Sequence, residues 1–159
     1  MSSYDYSGAG TYFITICVNN RACLLGSAGG GAMVHSRLGE IARDAWVVIP
    51  AHFPSVELDE FVVMPNHLHG IIRMRANTTR AARKDDFSRP AQGSLAALIR
   101  AYKSFTTRTI NTLQNTKGAL FWQRNYYERI IRDDNELMQT RSYIRLNPKR
   151  WVDDEYHQG

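Results

Sequence analysis

Two histidines separated by a single residue, His67 and His69 in PNHLHG, are the sharpest chemical signal in the chain. They open the apolar run HLHGIIRM, which reads as a β-strand, and strand alternation puts both imidazoles on one face with Leu68 on the other. Two imidazoles a few ångströms apart can supply two ligands to a divalent cation. An HxH pair alone does not select the metal, and it is equally compatible with histidines that are merely hydrogen-bonded at a strand edge. A second pair stands near the end of the chain, where Tyr143 and Asn147 in YIRLNP are four residues apart and so share one helical face, one turn apart. The amide oxygen of Asn147 can complete a metal site, and Tyr143 can act as a nucleophile beside it. A phenol has an ordinary pKa near about 10, so attack on a phosphodiester needs a cation that polarises the phosphate and stabilises the phenolate. Helical periodicity by itself favours a packing role for Tyr143. The other tyrosines near basic residues fit less well: Tyr102 falls on an apolar stripe, and Tyr126 and Tyr127 lie beside or in a strand with no amide at helical spacing.

The charge distribution suggests what such a site would act on. Of 20 Lys and Arg, 17 fall between Arg73 and Arg150 against six Asp and Glu, so that stretch carries +11 while the whole chain carries +5. A basic surface of this size attracts a polyanion and releases its counterions, the usual footprint of nucleic-acid binding. Arg100, Lys103, Arg108, Arg124, Arg129 and Arg132 are the candidate phosphate contacts, and Trp122 or Tyr126 can stack on an unpaired base. Each of these cations can also be ordinary solvated charge, and Trp122 can be core.

The remaining sequence must supply the elements that hold these residues. Thr11 to Val18, TYFITICV, is β-branched and aromatic before a turn at Asn19-Asn20, and predicts the first strand. Cys23–Leu25 and Ala32–Val34 flank Gly29-Gly30-Gly31, which suggests a small hairpin or an edge loop. Leu38, Ile41, Ala42, Ala45 and Trp46 recur at helical steps behind Ser36 as N-cap, with Pro50 near the end. Val56–Met64 and the HxH run form a hairpin around Pro65-Asn66. The polar, aperiodic stretch Arg75 to Gly93 reads as a mobile loop. Ser94 opens an amphipathic helix carrying Leu95, Leu98, Ile99, Tyr102, Phe105 and Ile110. Ala119–Trp122 and Tyr126–Ile131 read as one strand with an irregular centre. Asp133 and Glu136 make a capping-box-like start to the last helix, which Pro148 limits. The resulting order, βαββαβ with a further helix, predicts a ferredoxin-like α+β fold: an antiparallel sheet with helices on one face and a C-terminal helix carrying Tyr143.

With 159 residues, 43% hydrophobic and 22% charged, the chain fits a single globular domain spanning 1–159. No apolar run approaches the length of a membrane span, and the first ten residues lack the basic and apolar regions of a secretory signal. The expectation is a cytoplasmic, nucleoid-associated protein without a membrane partner. Cys17 and Cys23 form no CxxC pair and read as two reduced, part-buried thiols.

Three motifs in order, PNHLHG following FVVM, then WQRNYYERIIRD, then a helix ending in YIRLNP, resemble the REP-associated tyrosine transposases. These are relatives of the single-tyrosine insertion-sequence transposases of the HUH superfamily. The resemblance runs from the first strand to Trp151. It implies a metal-dependent nuclease and strand transferase acting on single-stranded or hairpin DNA. His67 and His69 would bind Mg²⁺ or Mn²⁺ together with Asn147, and Tyr143 would attack the DNA backbone to leave a 5′-phosphotyrosine link and a free 3′-hydroxyl. Relatives include dimers whose tyrosine helix completes the partner's site, so a homodimer is compatible with the resemblance. Two departures stand out: the stretch from Arg75 to Gly93 looks inserted relative to shorter members, and Pro148 directly follows Asn147 and can distort the last turn.

Two other functions use parts of the same pattern. A catalytically silent nucleic-acid-binding protein would need only the basic and aromatic residues, leaving the HxH and Tyr–Asn spacing as coincidence. A hydrolase using activated water on a small substrate would need only His67, His69 and Asn147, leaving the basic stretch unexplained.

Overall fold

The β-branched run near the N-terminus becomes an inner strand of a four-stranded antiparallel sheet. The structure is a computed structural model that describes residues 10–75 and 94–151. The sheet contains β1 (Gly10–Cys17), β4 (Val56–Val63), β5 (His67–Met74) and β6 (Tyr127–Ile131) in the order β4-β5-β1-β6. This is the order that a βαββαβ chain makes when its two crossover helices share a face, the ferredoxin-like arrangement expected from the sequence.

Between β1 and β4 lie a two-stranded hairpin, β2 (Gly26–Gly29) and β3 (Ala32–His35), and the helix α1 (Arg37–Val47), followed by the short α2 (Ile49–His52). Gly30 and Gly31 turn the hairpin with φ of 62° and 82°, the positive values a two-residue connection needs. Ser36 caps α1 by accepting from the Gly39 N–H at 3.1 Å. The helix that opens behind Ser94 is α3 (Leu95–Gln114), and the last helix is α4 (Asp134–Leu146).

Period-two alternation gives the sheet two different faces. Tyr12, Ile14, Ile16, Leu68 and Ile72 point to one side, where Trp46 of α1 and Leu98, Ile99, Tyr102 and Ile110 of α3 complete the main core. Phe13, Ile71 and Ile131 point to the other side, where Ile144 of α4 covers them. Gly70 on β5 lies under the indole of Trp46, and a β-carbon there would collide with the ring. Gly70→Ala should therefore overpack the main core and lower stability by about 1–3 kcal/mol in denaturant unfolding, with no polar group involved.

Three expectations need correction. Ala119–Trp122 is not strand: only β6 is regular, and Trp122 makes an isolated bridge to Val18. The reason is local, since Asn111 Nδ2 holds the Ala119 carbonyl at 2.9 Å and Lys103 Nζ holds the Gln123 and Arg124 carbonyls at 2.6 and 2.9 Å, so side chains of α3 take acceptors a ladder would use. The short helix α2 was not foreseen, because Pro50 reads as a stop although it is well tolerated in a first turn. Cys23 is exposed rather than part-buried, while Cys17 is intermediate, and neither is in a disulfide. The predicted loop lies, apart from Arg75, outside the described residues. No helix among the described residues is long and apolar enough to cross a membrane.

Candidate active site

The register of the sheet brings the chemical residues of distant segments into rows. On the face covered by α4, Tyr127, Thr15 and His69 stand side by side across β6, β1 and β5, with Arg129, Phe13 and Ile71 in the next row. His67 and His69 share this face as strand alternation requires, their ring centroids 4.5 Å apart. Both are buried, and each is held through Nδ1. His67 Nδ1 lies 2.8 Å from Asn66 Oδ1, and Asn66 Nδ2 in turn donates to the Arg21 carbonyl at 3.2 Å. With its amide nitrogen committed to that carbonyl, Asn66 can only accept from His67, so the His67 proton sits on Nδ1 and Nε2 keeps its lone pair. Arg21 presents its carbonyl from a left-handed turn in which Asn20 and Arg21 have φ of 61° and 53°. Thr15 Oγ1 lies 2.8 Å from His69 Nδ1 and orients that ring through the same atom.

Burial keeps both imidazoles neutral. It pushes the His67 pKa down to about 3, opposed by the Asn147 side chain and reinforced by the Arg21 charge. Burial also drives the His69 pKa well below the ordinary value, with His67 adding to the effect. A neutral imidazole is the form that binds a metal.

The helix α4 supplies the other two residues. Asp133 caps it by accepting from the Glu136 N–H at 2.8 Å, while Glu136 Oε2 accepts from the Arg132 N–H at 2.8 Å, a reciprocal start that fixes where the helix begins. From that origin Tyr143 falls over the sheet, its ring 5.3 Å from His69 and 6.1 Å from Phe13. Tyr143 is 37% exposed, so part of the residue is accessible to a substrate. Asn147 caps the end of α4 with helical angles despite Pro148, and its N–H bonds back three residues to Ile144 at 3.2 Å. The last turn tightens but keeps Asn147 in place.

Asn147 Nδ2 donates to the Tyr143 carbonyl at 2.8 Å, which leaves Oδ1 as the amide atom not engaged by that carbonyl. The side chain is near enough to His67 to favour the protonated ring, but neutral His67 carries its only proton on Nδ1, turned to Asn66. Oδ1 is accordingly buried without a well-formed hydrogen bond among the described residues. A buried carbonyl oxygen of this kind costs stability unless a cation or donor meets it. Two neutral imidazoles and this oxygen therefore fit a divalent cation. Among the described residues no three His, Cys, Asp or Glu side chains gather in this way, so the amide is essential to the set.

The candidate cations divide between two places. Arg129 lies in the row beside Phe13, its guanidinium carbon 5.4 Å from the Phe13 ring, in a cleft next to Tyr143. Arg132 is exposed at the β6–α4 junction. Arg100, Lys103, Arg108 and Arg124 line a groove along α3 instead, on the main-core side of the sheet. Lys103 is committed to the two backbone carbonyls of the 119–126 segment. Trp122 is core, its Nε1 donating to Thr106 Oγ1 at 2.8 Å.

No protein-family model matches the chain. A Haemophilus influenzae strain Rd protein of uncharacterised function is 37% identical to it over 166 residues, covering 99% of this chain and 90% of that protein. A second protein of the same strain, provisionally named a REP-associated tyrosine transposase, is 26% identical and covers 93% of this chain and 76% of its own. A solved REP-associated tyrosine transposase bound to a REP hairpin matches with a TM-score of 0.62 and 25% identity, over 95% of this chain and 74% of that one. In sequence and fold the chain is similar to the REP-associated tyrosine transposases. A crystallised Deinococcus radiodurans R1 protein, provisionally named a transposase, shares the fold at 16% identity and a TM-score of 0.52, over 91% of this chain and 93% of that one.

The helix that carries Tyr143 is tied to the sheet by a feature no motif indicates. A β-bulge between Leu58 and Phe61 inserts one extra residue in β4 and turns Asp59 and Glu60 towards α4. Asp59 accepts from Arg141 Nε and Nη2 at 2.8 and 2.7 Å and from Arg73 Nη2 at 3.0 Å, and Glu60 pairs with Arg145 at 3.1 Å. The Arg141 hydrogen bond holds the Asp59 carboxyl down at about 2, against the opposing effect of burial. A depressed carboxylate stabilises the fold above its unfolded value and ceases to do so as it protonates. Asp59→Asn should lower the melting temperature by about a few degrees at pH 7, and the gap from the wild type should close as pH falls from about 4 to about 2.

Proposed function

We propose that this chain is a metal-dependent, single-tyrosine DNA nuclease and strand transferase acting on hairpin or single-stranded DNA. The observation that carries the reading is the convergence of four residues from two distant segments: His67 and His69 side by side, the buried Asn147 side chain beside His67, and the Tyr143 ring against His69. A solved relative is bound to a REP hairpin, which supports a DNA hairpin as the substrate class.

In the cleavage step the Tyr143 hydroxyl gives up its proton as its oxygen forms a bond to phosphorus, the bond from phosphorus to the 3′-oxygen breaks, and that oxygen takes up a proton, so protons balance overall. The product is a 5′-phosphotyrosine link and a free 3′-hydroxyl. Attack by a different 3′-hydroxyl reverses these bond changes and joins strands, so neither step consumes ATP. His67, His69 and Asn147 would hold Mg²⁺ or Mn²⁺, which when bound supplies Lewis-acid polarisation of the phosphate. Phe13 and His69 pack the phenol ring, and Asn147 holds the last turn behind it through the Tyr143 carbonyl, so the nucleophile is positioned before substrate arrives.

Incubation of the protein with end-labelled single-stranded hairpin DNA and Mn²⁺ should give strand cleavage on denaturing electrophoresis. Hairpin binding without cleavage, with Tyr143→Phe indistinguishable from the wild type, would favour a catalytically silent DNA-binding protein.

A further inference from the structure

The cleft between β6 and α4 opens beside Tyr143 and His69, holds about 650 Å³, and has walls that the bond-making and bond-breaking steps do not use. Its floor is the sheet. Tyr127 stands next to Thr15, and Arg129 next to Phe13. The Tyr127 ring is 51% exposed and meets Phe13 edge to face at 6.3 Å, so one aromatic surface is open to the cleft. Among the described residues β6 is the last strand of the sheet on that side. The opposite wall is the first part of α4, with Glu136, Gln139 and Thr140.

Glu136 is the informative residue. Its Oε2 accepts from the Arg132 N–H, while its carboxylate also lines the cleft. A carboxylate beside a site for a polyanion repels the phosphates, so the part of a nucleotide that faces it must be the base edge, where amino groups donate. Gln139 adds a side-chain amide that both donates and accepts. Tyr127 and Arg129 have flat π-surfaces suited to an unpaired base, and Arg129 also supplies a positive charge for the adjoining backbone.

We propose that this cleft binds one unpaired nucleobase next to the phosphate that Tyr143 attacks, stacked on Tyr127 and flanked by Arg129, with Glu136 accepting from an exocyclic amino group. The proposal deepens the nuclease reading and rests on it for the position of the phosphate. It makes the protein itself a reader of the cleavage site. Cytosine presents the N4 amino group to Glu136, whereas thymine presents the O4 carbonyl and is disfavoured.

The test is equilibrium binding of fluorescent oligodeoxycytidine and oligodeoxythymidine octamers to the full chain at neutral pH without divalent cation. The cytidine octamer should bind about tenfold more tightly than the thymidine octamer. Glu136→Gln should bring the two within about twofold, and its amide oxygen can still accept from the Arg132 N–H and keep the helix start. Tyr127→Ala should weaken both octamers by about tenfold. Absence of octamer binding, equal affinities in the wild type, discrimination that survives Glu136→Gln, or full affinity in Tyr127→Ala would each overturn the proposal. Because no cation is present, hairpin cleavage with Mn²⁺ is read separately. Cleavage without base discrimination would remove the base site and leave the nuclease, whereas discrimination without cleavage would remove the nuclease.

Discussion

Tyr143→Phe should abolish cleavage and strand joining, by about 10⁴-fold or more, while leaving DNA binding and thermal stability close to those of the wild type. The size follows from losing a covalent nucleophile, which other parts of a site cannot replace. The separation of effects follows from the structure. The packing of the Tyr143 ring against Phe13 and His69 is kept by phenylalanine, and the residue is 37% exposed. Competing nucleophiles are poorly placed: Tyr102 is buried with its hydroxyl donating to the Ala42 carbonyl at 2.7 Å, and burial pushes its pKa far up. Tyr126 donates to Glu128 at 2.8 Å and is also raised, by burial first and by that carboxylate second. Gel-shift binding and labelled-strand cleavage on the same preparation would measure both sides of the prediction.

Replacing the histidines should have the second largest effect. His69→Ala and His67→Ala should each reduce Mn²⁺ affinity by about 100-fold or more and remove cation-dependent cleavage, as titration calorimetry and the cleavage gel would show. Both rings are buried, so each variant also leaves a cavity costing about 2–3 kcal/mol, and affinity should be compared only where circular dichroism shows the variant folded. Removal of the cation with a chelator gives the same loss of cleavage without touching the fold, and added Mn²⁺ should restore it. The pH dependence separates these histidines from exposed ones. With His67 pushed down to about 3 and His69 also well below the ordinary value, protons should not compete appreciably for the site between pH 5 and pH 8. An ordinary histidine would lose most of its affinity below about pH 6.5. The same shifts carry a stability sign: below about 6.5 the unfolded chain takes up protons that the folded chain refuses. The histidines therefore stabilise the fold above that value and progressively less as pH falls towards about 3.

The parts of this site that were legible in the sequence are those fixed by short-range periodicity. HxH on a strand and YxxxN on a helix each put their own two residues on one face, because the periods of two and 3.6 leave no alternative. The reciprocal cap of Asp133 and Glu136 was legible for the same reason, and it sets the rotational origin from which Tyr143 reaches the sheet. What could not be read is whatever depends on register between strands. Thr15 orients His69 only because it stands opposite it across the β1–β5 ladder, 54 residues away in sequence. Asp59 reaches Arg141 only because one extra residue bulges β4, and VELDEFVV carries no sign of it. Asn66 is the exception, since its place beside His67 in PNHLHG offered a signal, although its task depends on the Arg21 carbonyl. The basic stretch illustrates the opposite limit. Composition treated Arg100, Lys103, Arg108, Arg124, Arg129 and Arg132 alike, whereas the sheet separates Arg129, beside Tyr143, from the four residues along α3 on its other face.

The most direct test of the account is to identify the residue that becomes joined to DNA. The protein is incubated with hairpin DNA and Mn²⁺, the covalent adduct is isolated and digested, and the modified peptide is sequenced by tandem mass spectrometry. The account predicts a single phosphodiester-linked tyrosine at Tyr143, absent when His67 is replaced or the cation is chelated. Linkage at Tyr127 or another residue, or cleavage with no covalent adduct at any stage, would contradict it.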